Sequence, residues 1–186
     1  MSSKAKKTNL VWVDLEMTGL DPKSCTILEI GVIITDSQLE IVAEGPSFAI
    51  HQSKKILDNM EVWSRKHHKE SGLTEECRLS KVSMKKAEDT VLAFVKTYCK
   101  SRSAPLCGNT IGQDRRFLVK YMPRLEAYLH YRSIDVSSIK EVVSRWYPQD
   151  FKMPRLKTQS HRVMADIRES VDELRYYRSK VFIPHS

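Results

Sequence analysis

The chain has 186 residues, 41% hydrophobic and 29% charged, with a formal net charge of +8 at pH 7. That composition excludes a low-complexity chain, and the length suits one domain whose core is large enough to fold unaided. No apolar run approaches the about 20 residues of a membrane span, and the four cysteines (25, 77, 99 and 107) lack the paired spacing of a zinc site or the density of a disulfide scaffold. The opening MSSKAKKTN is polar and basic, without the apolar stretch of a secretory signal. These features predict a cytoplasmic protein with free thiols, a disordered basic tail over residues 1–9 and one domain over residues 10–180. The positive charge suits polyanionic partners such as nucleic acid, though many soluble proteins are as basic.

Residues 10–17, LVWVDLEM, read as a buried strand, and Gly19 to Pro22 as a turn. Cys25 to Asp36 and Leu39 to Ile50 read as two further strands, close enough in sequence to form a hairpin. Met60 to Ser71 follows as a helix closed by Gly72. Ser83 is placed to cap a helix reaching about Lys100, with Met84, Ala87, Val91, Phe94, Val95 and Tyr98 at helical spacing. Ala104 to Cys107 is a short strand, and Thr110 to Met122 a helix with Phe117, Leu118 and Tyr121 on one face. Ser133 to Val136 is another short strand, leading into a helix that ends at Trp146. Residues 148–160, with two prolines and a basic, polar makeup, predict a loop. A last helix covers about His161 to Arg178, its Val163, Ile167, Val171 and Leu174 facing inward. Strands first, then helices alternating with short strands, predict an α/β domain on a mixed central sheet, an antiparallel N-terminal meander joined by short parallel strands.

Two acids interrupt the first strand. Side chains alternate along a strand, so Asp14 and Glu16 share a face, with their Cα atoms roughly 6.6 Å apart, opposite Val11, Val13, Leu15 and Met17. Neighbouring carboxylates raise each other's pKa, and burial raises it further. Divalent cations remove that cost, because carboxylate oxygens are their preferred ligands. Asp114, in the first turn of a helix, and Asp166, at the edge of the last helix's inward stripe, have settings that would let them join. Taken singly, either is equally an ordinary helix-surface acid.

The stretches VDLEMTGL, GNTIGQDRRF and HRVMAD together resemble the DEDD exonuclease superfamily, in the subgroup with a catalytic histidine. Within it the chain is most similar to the oligoribonuclease family, through LEMTGLDP, HYRSIDVS and DIRES, over about Leu10 to Arg178. The resemblance implies a ribonuclease H-like fold and 3′→5′ hydrolysis of short RNA, down to dinucleotides, to nucleoside 5′-monophosphates. It implies two Mg²⁺ or Mn²⁺ ions on Asp14, Glu16, Asp114 and Asp166, and His161 as general base. His161 lies five residues before Asp166, and an unperturbed imidazole, with a pKa of about 6.5, is largely neutral at pH 7.

The same resemblance implies substrate contacts. Leu20 would wedge against bases, Trp63 would stack on one, and His68 lies on the same helix as Trp63. Thr110 would hold the substrate backbone; relatives often carry Ser there, and Thr keeps the hydroxyl while adding a methyl. Tyr131, Arg132 and Ser137 would close over the 5′ phosphate, with Tyr131 reaching across a two-fold homodimer. Read from residues alone, Trp63 is equally a core aromatic and Tyr131 with Arg132 a plain surface pair. Tyr121, Met122, Tyr128, Leu129 and Tyr131 are an interface or internal packing, and Arg115, Arg116, Lys152, Arg155 and Lys157 equally assist RNA approach or form a solvated face. Two rival functions stay open, a DNA-directed proofreading-type exonuclease and a non-catalytic nucleotide-binding module on the same fold.

Overall fold

The structure is a computed structural model that describes residues 9–151 and 162–183. Three N-terminal strands, β1 (Leu10–Met17), β2 (Ile27–Thr35) and β3 (Ile41–Ala49), form the expected antiparallel meander. β4 (Pro105–Gly108) pairs parallel with β1, and β5 (His130–Asp135) parallel with β4. The sheet order is β3-β2-β1-β4-β5, so the acid-bearing strand is central. Helices cover both faces: α1 (Lys54–Asp58), α2 (Val62–Glu70), α3 (Leu73–Leu79), α4 (Met84–Tyr98), α5 (Ile111–Tyr121), α6 (Pro123–Tyr128), α7 (Val136–Trp146) and α8 (Val163–Lys180). This is the mixed-sheet α/β architecture that the order of elements predicts. Among the described residues, no helix is long and apolar enough to cross a membrane.

The alternation of β1 builds two cores. Val11, Val13 and Leu15 join Ile30, Val32 and Ile34 of β2 beneath Val91 and Val95 of α4 and Phe117 and Leu118 of α5. On the other face Leu10 and Trp12 pack with Val136 and Val143 of α7 and Ile167, Val171 and Tyr177 of α8. Each such fully buried side chain contributes roughly 1.5–3 kcal/mol of transfer free energy. Trp12 keeps its one polar group satisfied, its Nε1–H donating to Thr35 Oγ1 at 2.9 Å. The second face is apolar at the start of β1 and turns acidic at its end, where Asp14 and Glu16 follow Trp12 at the same two-residue step.

Several details depart from the expected boundaries. The helices α1, α3 and α6 were not foreseen; each has seven residues or fewer, too short for a periodic signal, and is held by packing instead. Local signals were present, however. Ser53 Oγ accepts from the Ile56 N–H at the start of α1, and Pro123 opens α6, where its missing N–H costs nothing. Leu39 lies in the turn before β3, with φ of 72° and its side chain in the second core. That turn is drawn in by Asp36, whose Oδ1 accepts from the N–H of Gln38 and Glu40. Residues 1–8 of the expected tail lie outside the described residues. Asn9 is tied down, its side-chain amide donating to Tyr98 O at 3.0 Å.

Candidate active site

Asp14 and Glu16 leave β1 on the face covered by α8, whose first turn brings Asp166 over them. Oxygens of these three carboxylates lie within 4.8 Å of one another. Asp114, buried in the first turn of α5, stands beside them; its Oδ1 accepts from the Leu15 N–H at 3.0 Å, between the two β1 acids. Three of the four predicted ligands thus converge in one group, with the fourth pinned to the backbone of β1.

The electrostatics record what this arrangement costs. Burial first, and then the charges of Asp114, Glu16, Asp166 and Glu29, hold the Asp14 carboxyl well above the usual carboxylate range. Glu16 is pushed up to about 8 by burial and by Asp166, Glu29 and Asp114, against a smaller opposing pull from Arg162. Asp114 is pushed up to about 7, chiefly by burial, although the Leu15 N–H works the other way. The residues that meet here are short of positive charge, and all-oxygen carboxylate ligands are the chemistry of hard divalent cations. Four acids fit such ions; no other group of three or more His, Cys, Asp or Glu among the described residues does. The four cysteines are separate, buried and free.

The expected substrate residues fall into two groups. Leu20 is 65% exposed on a turn that is held from both sides. Its N–H donates to Glu61 Oε1 at 3.3 Å and its carbonyl accepts from Gln113 Nε2. A Cβ at Gly19 would meet the far end of the Glu61 side chain at 2.2 Å, so a larger residue there would displace the carboxylate that holds the Leu20 N–H. Trp63 is 57% exposed and stacks on the His67 ring at 3.9 Å, which removes its reading as core. His68 is not on the surface. It is buried behind the acids, with Nε2 2.9 Å from Met17 O and 3.9 Å from Glu16 Oε2. A helix turns about 100° per residue, so His67 and His68 diverge.

Thr110 and Ser137 meet at the C-terminal ends of β4 and β5. Thr110 takes a left-handed backbone with φ of 50°, and its N–H donates to Asp135 Oδ1 and Ser137 Oγ, both at 3.0 Å. The two hydroxyls are 3.1 Å apart. Ser137 Oγ also donates to Asn109 Oδ1 at 3.0 Å. Tyr131 and Arg132 lie at the other end of β5, with Arg132 5.4 Å from the Tyr131 ring centroid. Four steps along the strand, about 13 Å, separate Tyr131 from Asp135. The structure thus gathers Thr110, Asp114 and Ser137 but leaves Tyr131 apart and 73% exposed.

The aromatic cluster around Tyr131 is internal packing. Met122 and Leu129 are buried in the first core. Tyr121 and Tyr128 pack against it and donate their hydroxyls to Cys25 O and Cys99 O. Arg115 is not a solvated cation. It pairs with Glu126 at 3.0 Å and donates to the carbonyls of His130 and Tyr131, bracing the start of β5. Sequence reasoning passed over Glu61, Asn109, Gln113 and Asp135, the residues that shape the site's turns. Of these only Asp135 carried a local signal, as the cap whose Oδ1 accepts from the Ser137 N–H ahead of α7. His161 and residues 152–160 of the expected loop lie outside the described residues. Residues 149–151 form a single 3₁₀ turn.

Comparison with known proteins agrees with this geometry. Residues 11–174 match the RNase_T family model, described as exonuclease. The chain is 52% identical over 178 residues to the oligoribonuclease of Dichelobacter nodosus, covering 96% of this chain and 97% of that one. It is 54% identical over 174 residues to the oligoribonuclease of Vibrio cholerae, covering 94% and 96%. Among solved structures it resembles a product-bound exonuclease I, with a TM-score of 0.70 at 14% identity. It likewise resembles exonuclease I from Methylocaldum szegediense, with a TM-score of 0.70 at 15% identity. Those likenesses cover 94% of this chain but only 44% and 41% of the larger enzymes, and they speak to the fold alone. A central strand with two acids, a helix bringing a third, and close sequence kinship over nearly the whole length place the chain in the oligoribonuclease family of exonucleases, as a nuclease hydrolase.

Proposed function

We propose that this 3′→5′ exoribonuclease of short RNA hydrolyses the terminal phosphodiester with two divalent cations, Mg²⁺ or Mn²⁺, and releases nucleoside 5′-monophosphates down to the last dinucleotide. The observation that carries the reading is the carboxylate group of β1 and α8, with oxygens of Asp14, Glu16 and Asp166 within 4.8 Å of one another. Asp14, Glu16, Asp114 and Asp166 would hold the ions. When bound, such ions activate water and neutralise charge on the departing 3′ oxygen.

The chain's own residues position the substrate and take up the proton. Asp114, fixed by the Leu15 N–H, keeps its carboxylate at the level of the β1 acids. His68 sits behind Glu16 and limits its travel. His161 acts as the base that accepts the water proton, since a neutral imidazole is available for that at pH 7. Leu20 and the exposed face of Trp63 would take the bases, because stacking is worth roughly 1–3 kcal/mol per base and tolerates any of them. Thr110 and Ser137 would hold the substrate backbone, and Arg132, beside Tyr131 at the other end of β5, would close with Tyr131 over the 5′ phosphate of the partner's site, where a guanidinium offers a paired set of donors. The distance of Tyr131 from its own Ser137, together with its exposure, supports its delivery to the partner's site in a cytoplasmic homodimer.

Mononucleotide release from a dinucleotide and from a long single strand, with and without EDTA, tests the reading. Rapid, EDTA-sensitive cleavage of the dinucleotide is expected, faster than that of the long strand. Cleavage that survives EDTA, or a preference for long DNA, would end it.

A further inference from the structure

Arg162 is the one basic residue that the first turn of α8 presents to the acidic region, and its guanidinium is fully engaged. Its Nε lies 3.2 Å from both carboxylate oxygens of Glu29, and its Nη2 2.9 Å from Glu29 Oε1. Nη1 and Nη2 each donate to Glu76 of α3 at 2.8 Å. Glu29 is only 2% exposed, and it pairs with Glu16 across β1 and β2. A buried acid at that point is costly unless paired, and an apolar residue would pack there without the cost. What the ion pair adds is direction, because a planar guanidinium held on two carboxylates fixes both the place and the rotation of the backbone that bears it.

That backbone is the start of the helix carrying Asp166. The Arg162 carbonyl accepts from the N–H of Ala165 at 3.0 Å and of Asp166 at 3.1 Å. A second contact sets the same joint. Gly31 is the β2 partner of Asp14, and a Cβ there would lie 2.7 Å from Val163 Cγ2 and 3.0 Å from Met164 Sδ. The missing side chain lets the first turn of α8 settle on the sheet directly beside Asp14.

We propose that Arg162 is a positioning residue for the metal-binding acids: by gripping Glu29 and Glu76 it locks the first turn of α8 to β2 and α3 and so presents Asp166 to Asp14 and Glu16. The inference rests on the carboxylate group being a cation site. A charge-only role predicts the opposite sign, since deleting a cation beside four acids would strengthen cation binding.

Calorimetric titration of Mn²⁺ into the metal-free protein separates the two. Arg162→Gln should weaken Mn²⁺ binding by about tenfold or more, the range seen when residues that orient metal ligands are lost. Arg168→Gln removes a half-exposed pair with Glu44 further along the same helix and should leave binding within about twofold, so general loosening of α8 is told apart from loss of this joint. Thermal melts in EDTA report folding. If Arg162→Gln does not fold, Glu76→Gln, which removes only the exposed half of the grip, should still weaken binding by about threefold. Unchanged or tighter Mn²⁺ binding in a folded Arg162→Gln, or in Glu76→Gln where that is the folded variant, overturns the proposal. Absence of Mn²⁺ binding to the unsubstituted protein would instead strike the cation-site reading itself.

Discussion

Glu16 and Glu29 face each other across β1 and β2, and the two carboxylates live in opposite electrostatic worlds. Glu29 is the more deeply buried, yet Arg162 holds it at 2.9 Å and shares its charge with Glu76. Glu16 has Asp14, Asp114 and Asp166 for neighbours, and among the described residues a buried histidine at 3.9 Å and a smaller pull from Arg162 to set against them. Burial alone therefore does not mark a functional acid. An acid balanced by the protein fastens one element to another, whereas acids left unbalanced store free energy that a cation from outside can release.

The sharpest break of that contrast is removal of a ligand. Asp14→Asn should lower turnover on a dinucleotide on the order of a thousandfold, the several kcal/mol that metal-assisted charge stabilisation supplies. Steady-state turnover at saturating Mn²⁺ checks this, and a loss smaller than tenfold would remove Asp14 from the site. Next in size, His161→Ala should cut turnover by about a hundredfold, the scale of a lost general base, while calorimetric Mn²⁺ binding stays as it was. Near-normal turnover at neutral pH would take His161 out of the reaction.

Stability should separate Glu16 from Glu29 in sign. The folded Glu16 carboxyl is raised to about 8 from 4.5, so the metal-free native state keeps a proton that the unfolded chain gives up. Its contribution is present in full below the unfolded value and is lost as pH rises toward 8. Melting temperature in EDTA should therefore fall from about pH 5 to pH 8, and Glu16→Gln should raise stability at pH 8 by on the order of 2 kcal/mol. Glu29→Gln, which leaves Arg162 short of its partner, should lower stability at both pH values. Scanning calorimetry of both variants decides it; two changes of the same sign would erase the distinction. The smallest effect is expected at Trp63, where Trp63→Ala should raise KM for a dinucleotide roughly tenfold with little change in kcat, in line with the loss of one base stack. An unchanged KM would show that no base rests on that ring.

Much of the site was legible in the sequence because it is built from local patterns. Asp14 and Glu16 announced themselves by standing on one face of an otherwise apolar strand. Asp114 and Asp166 did not, since an acid in the first turn of a helix is common; only the joined motifs singled them out. His68 lies on the helix of Trp63 but faces inward, its Nε2 2.9 Å from Met17 O, an orientation that shared membership of a helix does not reveal. Arg115, one charged residue in a basic run, is spent on the carbonyls of β5, which its place in the run does not show. The partnership of Arg162 with Glu29 joins residues 133 apart in the chain, a distance no periodicity can bridge.

By itself the sequence determined the meander, the long amphipathic helices α4, α5 and α8, and the acids that interrupt β1, because strand alternation and helical spacing act over a few residues. Tertiary structure alone decided the sheet order that makes β1 central, the seating of α8 on Gly31, and which buried acids pair with Arg162 and which gather into the carboxylate group. Those outcomes depend on packing and charge between segments far apart in the chain, and such contacts exist only once the two faces of the sheet have been covered.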